Sequence, residues 1–225
     1  MSFNIAIDGP AGAGKSTIAR AAARSLGFLY VDTGAMYRAI ALHLLRNHVE
    51  AEDTDKIEEL LADMTIRIIY SGGEQQIILN GENVTSQLRK EEVGNMASKS
   101  AANPKVREKL LQLQRDIARD NDVIMDGRDI GTFVLPKADV KVYLTASVEE
   151  RANRRYLELK EKGQDADIKK IEEDIRTRDF QDMNRSIAPL KQAEDAVVID
   201  SSRLSIPEVM DRIVDAFQES LKLKG

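Results

Sequence analysis

Hydrophobic and polar positions along the chain follow two alternating periods. Short apolar runs with the length of buried strands begin at Phe3, Phe28, Val123, Val140 and Ala196. Between them lie longer segments in which apolar residues recur every three or four positions, the spacing of amphipathic helices. Because strands separated by helices pair in parallel, the pattern predicts an α/β fold with a parallel sheet covered by helices on both faces.

The ends of the predicted helices carry residues typical of helix termini. Gly27 closes the first helix, and Pro104 and Pro207 fall in first turns, where proline is favoured. In chain order, the predicted helices cover residues 15–26, 35–47, 55–64, 87–101, 104–119, 148–185 with a break at Gly163, and 205–223.

One segment departs from the strand-and-helix order. Residues 65–70 and 76–79 are rich in β-branched side chains, and Ser71-Gly72-Gly73 joins them. Asn80-Gly81 follows, a pair typical of tight hairpin turns. The sequence therefore predicts a small antiparallel insertion at about residues 65–85.

Composition narrows the class of protein. The chain has 225 residues, 42% of them hydrophobic, which suits one sizeable α/β domain. A net charge of −5 and an aromatic content of 4% argue against a general nucleic-acid binder. The absence of cysteine excludes disulfides, thiolate catalysis and cysteine-ligated zinc. No apolar run approaches 18 residues and the N-terminus lacks a signal pattern, so we expect a cytoplasmic protein without membrane contact.

The loop after the first strand carries the strongest candidate chemistry. With Thr17 following, it matches G-x-x-x-x-G-K-[ST] in full: Gly9, Pro10, Ala11, Gly12, Ala13, Gly14, Lys15, Ser16. Such a loop presents backbone N–H groups to nucleotide phosphates at a helix N-terminus. We expect Lys15 to be an exposed loop residue that reaches the β- and γ-phosphates, and the Ser16 hydroxyl to bind Mg²⁺. The motif predicts nucleoside triphosphate binding without identifying an acceptor.

Two further loops follow predicted strands. Residues 32–38, Asp-Thr-Gly-Ala-Met-Tyr-Arg, could approach a ligand or could simply be a capped helix start. Residues 126–132, Asp-Gly-Arg-Asp-Ile-Gly-Thr, fall at the carboxyl end of a strand, where open α/β sheets bind ligands. Asp126 closes that strand, as a carboxylate supporting Mg²⁺ would. A plain turn with an ion pair is the alternative for this loop.

A charge-dense stretch contains several arginines after residue 150. Arg151, Glu158 and Lys160 are expected on solvated helix faces. By contrast, Arg178, Asp182 and Arg185 are spaced i, i+4 and i+7, which predicts one helical face that could meet a nucleotide.

At these four places together, the sequence resembles the bacterial cytidylate kinase family over nearly its whole length. The matching stretches are Ile7 to Lys15, Asp32 to Arg38, Asp126 to Thr132, and Asn184-Arg185-Ser186 with Ala188-Pro189. Many families share the phosphate loop. The Asp-Gly-Arg-Asp loop combined with the β insertion is much more specific, since related adenylate and guanylate kinases lack that combination.

The resemblance implies a P-loop kinase fold in a single domain over residues 1–225. It implies a core of about 1–34, 123–150 and 186–225, a nucleoside monophosphate-binding region of about 35–122, and a short lid at about 151–165. It further implies direct in-line transfer of the ATP γ-phosphoryl to CMP, and to dCMP, assisted by Mg²⁺ on Ser16 and Asp126. The family is typically monomeric, and nucleic acid is not among the implied partners.

The resemblance also assigns residues. It implies catalysis by five cations: Lys15, Arg128, Arg154, Arg178 and Arg185. It implies that ATP is bound by the loop from Gly9 to Thr17, with Arg155 joining Arg154 at the transferring phosphoryl. It implies that CMP is bound by Thr33, Tyr37, Arg38, Ser98, Arg107, Arg128, Asp129, Arg178, Asp182 and Arg185. Thr33 stands where relatives often have serine and keeps the hydroxyl.

Other functions stay open at this point. The chain could phosphorylate another small acceptor, such as UMP, AMP or shikimate. It could also be a nucleotide-dependent switch or binding module, although the Asn-Lys-x-Asp motif of switch GTPases does not occur.

Overall fold

The computed structural model describes residues 2–224, which divide into two compact units. The first contains the chain up to Tyr30 and from Asn121 onward, and the second is Val31–Asp120. The strands are β1 Asn4–Asp8, β2 Leu29–Asp32, β3 Ile66–Ser71, β4 Glu74–Leu79, β5 Glu82–Asn83, β6 Val123–Gly127, β7 Val140–Thr145 and β8 Val197–Asp200. The helices are α1 Lys15–Leu26, α2 Thr33–Arg46, α3 Thr54–Ala62, α4 Glu91–Ser100, α5 Pro104–Asp120, α6 Val148–Glu161, α7 Ile168–Asn184 and α8 Ile206–Lys224.

A five-stranded sheet has the order β2-β6-β1-β7-β8. Four of these strands and the first half of β2 belong to the first unit. β1 runs parallel to both β6 and β7, and β7 runs parallel to β8. In this register Asp8 lies opposite Gly127 on one side and Tyr143 on the other. The carboxyl ends of the three central strands therefore meet at one edge, where the phosphate loop begins. The predicted α/β fold with a parallel sheet flanked by helices is confirmed.

Helices α1 and α8 pack on this sheet through an apolar core. Ile5 and Ile7 of β1 are fully buried and belong to the same cluster as Ile18 of α1 and Ile213 of α8. The alanine-rich face of α1 lets that helix approach the sheet closely, because its side chains are small. The phosphate loop is thus connected at both ends to rigid, buried elements.

The second unit contains the predicted antiparallel insertion, which is also confirmed. β3, β4 and β5 form a three-stranded antiparallel sheet, and residues 80–81 make the turn between the last two strands. Gln75 of β4 joins this sheet to the start of α2. Its side-chain amide accepts from Asp32 N at 2.8 Å and donates to Asp32 O at 3.2 Å.

The single helix predicted for residues 87–101 is wrong. A short 3₁₀ helix covers Thr85–Arg89, the backbone of Lys90 is extended, and α4 begins only at Glu91. Glu91 and Glu92 then occupy the first turn of α4, where carboxylates interact favourably with the helix dipole. Apolar periodicity continues across the break because both pieces bury residues on the same side, so the pattern alone does not reveal it.

Within residues 2–224, none of the helices combines the length and the apolar character needed to cross a membrane.

Candidate active site

The phosphate loop starts where β1 ends, and its shape depends on glycine. Gly9 has φ 152°, and a Cβ at this position would lie 1.9 Å from the carbonyl oxygen of Leu144 on the neighbouring strand. Gly14, with φ 87°, is the left-handed residue directly before α1. The loop therefore passes close to β7 and turns into the helix N-terminus, as an anion-binding loop requires.

Lys15 is buried, with 6% of its surface exposed, so the prediction of an exposed loop lysine is wrong. Its Nζ donates to the carbonyl oxygen of Pro10 at 2.7 Å, which turns the side chain back onto its own loop. Burial, reinforced by the positive charge of Arg128, lowers the pKa of Lys15 to about 7. The ammonium group is therefore poorly satisfied in this position and would gain from a nearby phosphate.

Ser16 and Asp126 lie together, although they are 110 positions apart. The Ser16 hydroxyl donates to Asp126 Oδ2 at 2.9 Å, and the Tyr30 hydroxyl donates to Oδ1 at 3.0 Å. A hydroxyl and a carboxylate oxygen are hard ligands that suit Mg²⁺ when nucleotide phosphates complete the shell. No cluster of three or more Asp, Glu or His side chains suited to hold a metal occurs among the described residues. The donors thus fit a cation bound jointly with a nucleotide.

Asp8 connects the phosphate loop to the loop after β6. Its two carboxylate oxygens accept from Ile130 N at 2.8 Å and from Gly131 N at 2.7 Å, where a π-helical turn, Ile130–Val134, begins. Burial raises the pKa of Asp8 to about 6, despite these two hydrogen bonds. No role for Asp8 was predicted from the sequence, because its local pattern does not reveal partners 122 and 123 positions away.

Two ion pairs join the loop after β6 to the end of α7. Arg128 Nε donates to Asp182 Oδ2 at 2.7 Å, and Arg185 Nη2 donates to Asp129 Oδ1 at 3.0 Å. Asp129, Asp182 and the Arg185 side chain are all buried. Two guanidinium groups and two carboxylates from distant segments are therefore brought together. The resemblance had implied this by assigning all four residues to one site.

Arg185 does not belong to the helical face predicted for it. Helix α7 ends at Asn184, and Arg185 is extended, with φ −64° and ψ 144°. Its Nε donates to the carbonyl oxygen of Ala188 at 2.6 Å, which holds the guanidinium beside Asp129. The spacing i, i+4, i+7 therefore does not describe one helical face, although Arg185 Nη1 lies 3.9 Å from Asp182 Oδ1. Arg178 lies half-buried on α7.

The arginines predicted for the lid have partners within the first unit. Arg154 Nη2 donates to Ser201 O at 2.7 Å and Arg154 Nε donates to Glu150 at 2.9 Å. Arg155 is exposed and pairs with Glu158. Glu158 and Lys160 are exposed as predicted.

Arg151 contradicts the prediction of a solvated helix face. It is 4% exposed, and its guanidinium donates to Ala146 O at 2.9 Å, Ala11 O at 2.9 Å and Asp179 Oδ2 at 2.7 Å. A charge run in the sequence shows that a helix is polar, but it does not show which member faces inward. The only local signal was that Arg151 precedes Ala152, the other buried residue of α6.

The remaining predicted residues lie in the second unit. Asp32 caps α2 by accepting from Ala35 N at 2.8 Å and pairs with Arg38 at 3.3 Å. Buried Arg107 donates to Ala101 O at 3.2 Å, and its guanidinium lies 5.7 Å from the ring centroid of Tyr37. Thr33 is buried and Ser98 half-buried. This unit therefore holds its own group of polar and cationic side chains.

Comparisons with known proteins identify the family of the chain. The family model described as cytidylate kinase matches residues 5–219. A cytidylate kinase from Caldicellulosiruptor saccharolyticus is 50% identical over 215 residues, covering 96% of this chain and 95% of that protein. A cytidylate kinase from Caldicellulosiruptor bescii is 50% identical over 220 residues, covering 98% of this chain and 97% of that protein.

Among solved structures, the shikimate kinase of Bacteroides thetaiotaomicron aligns with a TM-score of 0.50 and 14% identity, covering 96% of this chain and 98% of that one. At this identity the likeness supports the fold alone, that of the P-loop kinases. The family match and the relatives span almost the whole sequence, and the chain belongs to the cytidylate kinase family.

Proposed function

We propose that this chain transfers the γ-phosphoryl group of ATP directly to CMP, and also to dCMP, giving ADP and the corresponding diphosphate. Membership of the cytidylate kinase family supports CMP as the acceptor. One observation carries the proposal. The complete phosphate loop begins at the end of β1, and the loop after the adjacent strand β6 holds two arginine–carboxylate pairs.

ATP is assigned to residues 9–17. Backbone N–H groups at the start of α1 would bind the phosphates, and Lys15 would exchange its bond to Pro10 for phosphate oxygens. The pKa of about 7 means that an anionic phosphate would favour the protonated lysine and draw in a proton. The positive charge would then face the γ-phosphoryl group during transfer.

Ser16 and Asp126 would hold Mg²⁺ together with the ATP phosphates. The cation supplies positive charge that neutralises the phosphate oxygens when it is bound. Tyr30 would fix the Asp126 carboxylate by its hydrogen bond to the other oxygen, leaving Oδ2 oriented toward Ser16.

Arg128, Arg178 and Arg185 are assigned to the phosphate of CMP. Phosphoryl transfer spreads negative charge over the equatorial oxygens, and fixed guanidinium groups stabilise that charge without reorganisation. Arg154 would join from the lid at about residues 151–165. Closure of that lid excludes water, which would otherwise accept the phosphoryl group.

Base recognition is assigned to Asp129, Arg107 and Ser98. A carboxylate accepts from the N4 amino group of cytosine, and a guanidinium donates to N3 or to the carbonyl oxygen. The side chains of Thr33, Tyr37, Arg38 and Asp182 complete the proposed CMP contacts. We further propose that the enzyme acts as a cytoplasmic monomer.

The test is ADP release by purified protein, coupled to an indicator reaction, with CMP, dCMP, UMP, AMP and shikimate supplied in turn. CMP and dCMP should give the highest kcat/KM, and a reaction without acceptor gives the background hydrolysis. Preference for another acceptor would replace CMP in the proposal. ATP binding without acceptor-dependent ADP release would instead indicate a nucleotide-binding module.

A further inference from the structure

We infer that Arg151 and Asp179 are positioning residues, which hold the phosphate loop and helix α7 in a fixed relation during phosphoryl transfer. The inference rests on the proposed function, because it concerns the same reaction. The resemblance places residue 151 at the start of the lid, but it assigns neither side chain a contact with a nucleotide. Neither residue needs such a contact to act in this way.

The guanidinium of Arg151 connects three segments of the first unit. It donates to Ala146 O in the turn before α6, to Ala11 O in the middle of the phosphate loop, and to Asp179 Oδ2 on α7. The aliphatic part of the side chain packs on the same loop, since a Cβ at Gly12 would lie 3.3 Å from Arg151 Cβ. One buried side chain thereby fixes both the backbone and the surface of the phosphate loop.

Asp179 links Arg151 to the part of α7 that holds residues proposed to bind CMP. It lies on α7 next to Arg178 and one turn before Asp182, both proposed to contact CMP. A shift of Asp179 would therefore move Arg178 and Asp182 with the helix. Asp179 Oδ1 is buried and has no hydrogen-bond partner among the described residues, so the carboxylate is held through Oδ2 by Arg151.

Stability alone is a weak reason for such a pair. Burying two charges costs desolvation, and replacing a buried ion pair by apolar side chains of similar size is often neutral or stabilising. Three directed hydrogen bonds from one guanidinium instead give a defined geometry, which an apolar pair cannot supply. Small errors in the placement of reacting groups are costly in phosphoryl transfer, because catalysis depends on positioning.

The decisive variant replaces both charges: Arg151→Met with Asp179→Leu. Since no unpaired charge remains buried, we expect a melting temperature within a few degrees of the parent. We expect kcat/KM for CMP to fall at least about tenfold, with a higher KM for ATP as well, because Ala11 loses its donor. A pair with a merely structural role would change the melting temperature and leave the KM values of the folded enzyme unaltered.

The matched control is the exposed ion pair between Glu149 of α6 and Arg176 of α7, whose atoms are 3.0 Å apart. It joins the same two helices without contacting the phosphate loop. Glu149→Gln with Arg176→Met should leave kcat/KM within about threefold of the parent.

A second variant keeps the test decisive if the double replacement does not fold. Arg151→Lys retains the charge opposite Asp179 but cannot form the three bonds together, so kcat/KM should again fall at least about tenfold in folded protein. Near-parental kcat/KM, within about threefold, in folded Arg151→Lys or in the double variant would overturn the inference. A parent without CMP-dependent ADP release would overturn the proposed function, and this measurement is made first.

Discussion

Lys15 shows how burial changes the behaviour of a residue whose identity is obvious from the motif. The motif identifies the lysine, and the structure adds that its ammonium is buried and that, among the described residues, its hydrogen-bond partner is a carbonyl oxygen. Its pKa, lowered to about 7, means that folding disfavours the charged form. The group proposed to act in catalysis is therefore a source of instability in the protein without nucleotide.

Replacing Lys15 by methionine should abolish transfer and stabilise the fold. The unfolded lysine keeps its proton up to about pH 10.5, whereas the folded one releases it near pH 7, so the unfolded state binds more protons between these values. The cost of the buried charge is therefore fully present below pH 7 and declines as pH rises. The gain in melting temperature for Lys15→Met over the parent should be larger at about pH 6 than at about pH 9.

Turnover of Lys15→Met should fall at least about a hundredfold, the scale of losing one charge-stabilising donor. Lys222→Met, at an exposed position of α8, is the control and should change neither the turnover nor the melting temperature. A Lys15→Met protein that keeps near-normal turnover would show that the phosphate-loop assignment is wrong.

Asp129 is the residue on which base selection should depend. Uracil presents an acceptor at O4 where cytosine presents a donor, so a carboxylate there opposes UMP. Mismatched, desolvated polar groups discriminate by roughly a hundredfold to ten-thousandfold. Asp129→Asn should lower kcat/KM for CMP far more than for UMP and narrow the ratio between them.

The control for this change is Asp120→Asn, an exposed carboxylate that pairs with Arg119. Its CMP-to-UMP ratio should equal that of the parent. Since Asp129 also pairs with Arg185, both substrates will lose some activity in Asp129→Asn, and only the ratio tests base reading. An unchanged ratio would remove Asp129 from that role.

At the scale of elements, helix ends marked by a glycine in the sequence were predictable. Helix ends determined by packing against other segments were not. Helix α1 has the predicted bounds, because Gly14 and Gly27 at its two ends are both left-handed. The break before α4 and the end of α7 at Asn184 have no glycine or proline to mark them. The grouping of Arg128 with Asp182 was available only through family resemblance, since 54 positions separate them.

Two glycines, Gly9 after β1 and Gly27 after α1, should respond very differently to replacement by alanine. Gly9→Ala places a Cβ 1.9 Å from the Leu144 carbonyl oxygen, which neither strand can relieve without moving. Gly27→Ala meets nothing within 4 Å and has only its positive φ of 72° to oppose it, a cost of about 1–2 kcal/mol. Thermal unfolding should show a modest fall in melting temperature for Gly27→Ala and a far larger fall for Gly9→Ala. An equal fall in melting temperature for both variants would mean that the phosphate loop can move away from β7.

At the scale of the whole molecule, charge should affect how strongly the proposed substrates bind at different salt concentrations. The chain carries a net charge of −5, yet the proposed substrates are polyanions bound by clustered cations. Salt screens that attraction, and it also weakens the general repulsion from an acidic protein. Because the cations proposed to bind CMP would lie next to its phosphate, where Coulomb attraction is strongest, the attraction should dominate.

Raising KCl from about 0.05 M to about 0.5 M should therefore raise KM for CMP several-fold with a smaller change in kcat. Sucrose at equal osmolality, which does not screen charge, should leave KM unaltered. A KM that falls with salt would mean that the acidic surface dominates substrate approach.

The central place of β1 in the sheet has a consequence for how the protein folds as it is synthesised. Asn4 pairs opposite Val123, so β1 lacks both sheet neighbours after leaving the ribosome until β6 and β7 have emerged. The continuous unit Val31–Asp120 makes its internal contacts within 90 consecutive residues and can gather them before β6 and β7 emerge. The phosphate loop therefore follows a strand that lacks its sheet neighbours until residues 123–145 have been synthesised, and the nucleotide site is completed only by these later strands.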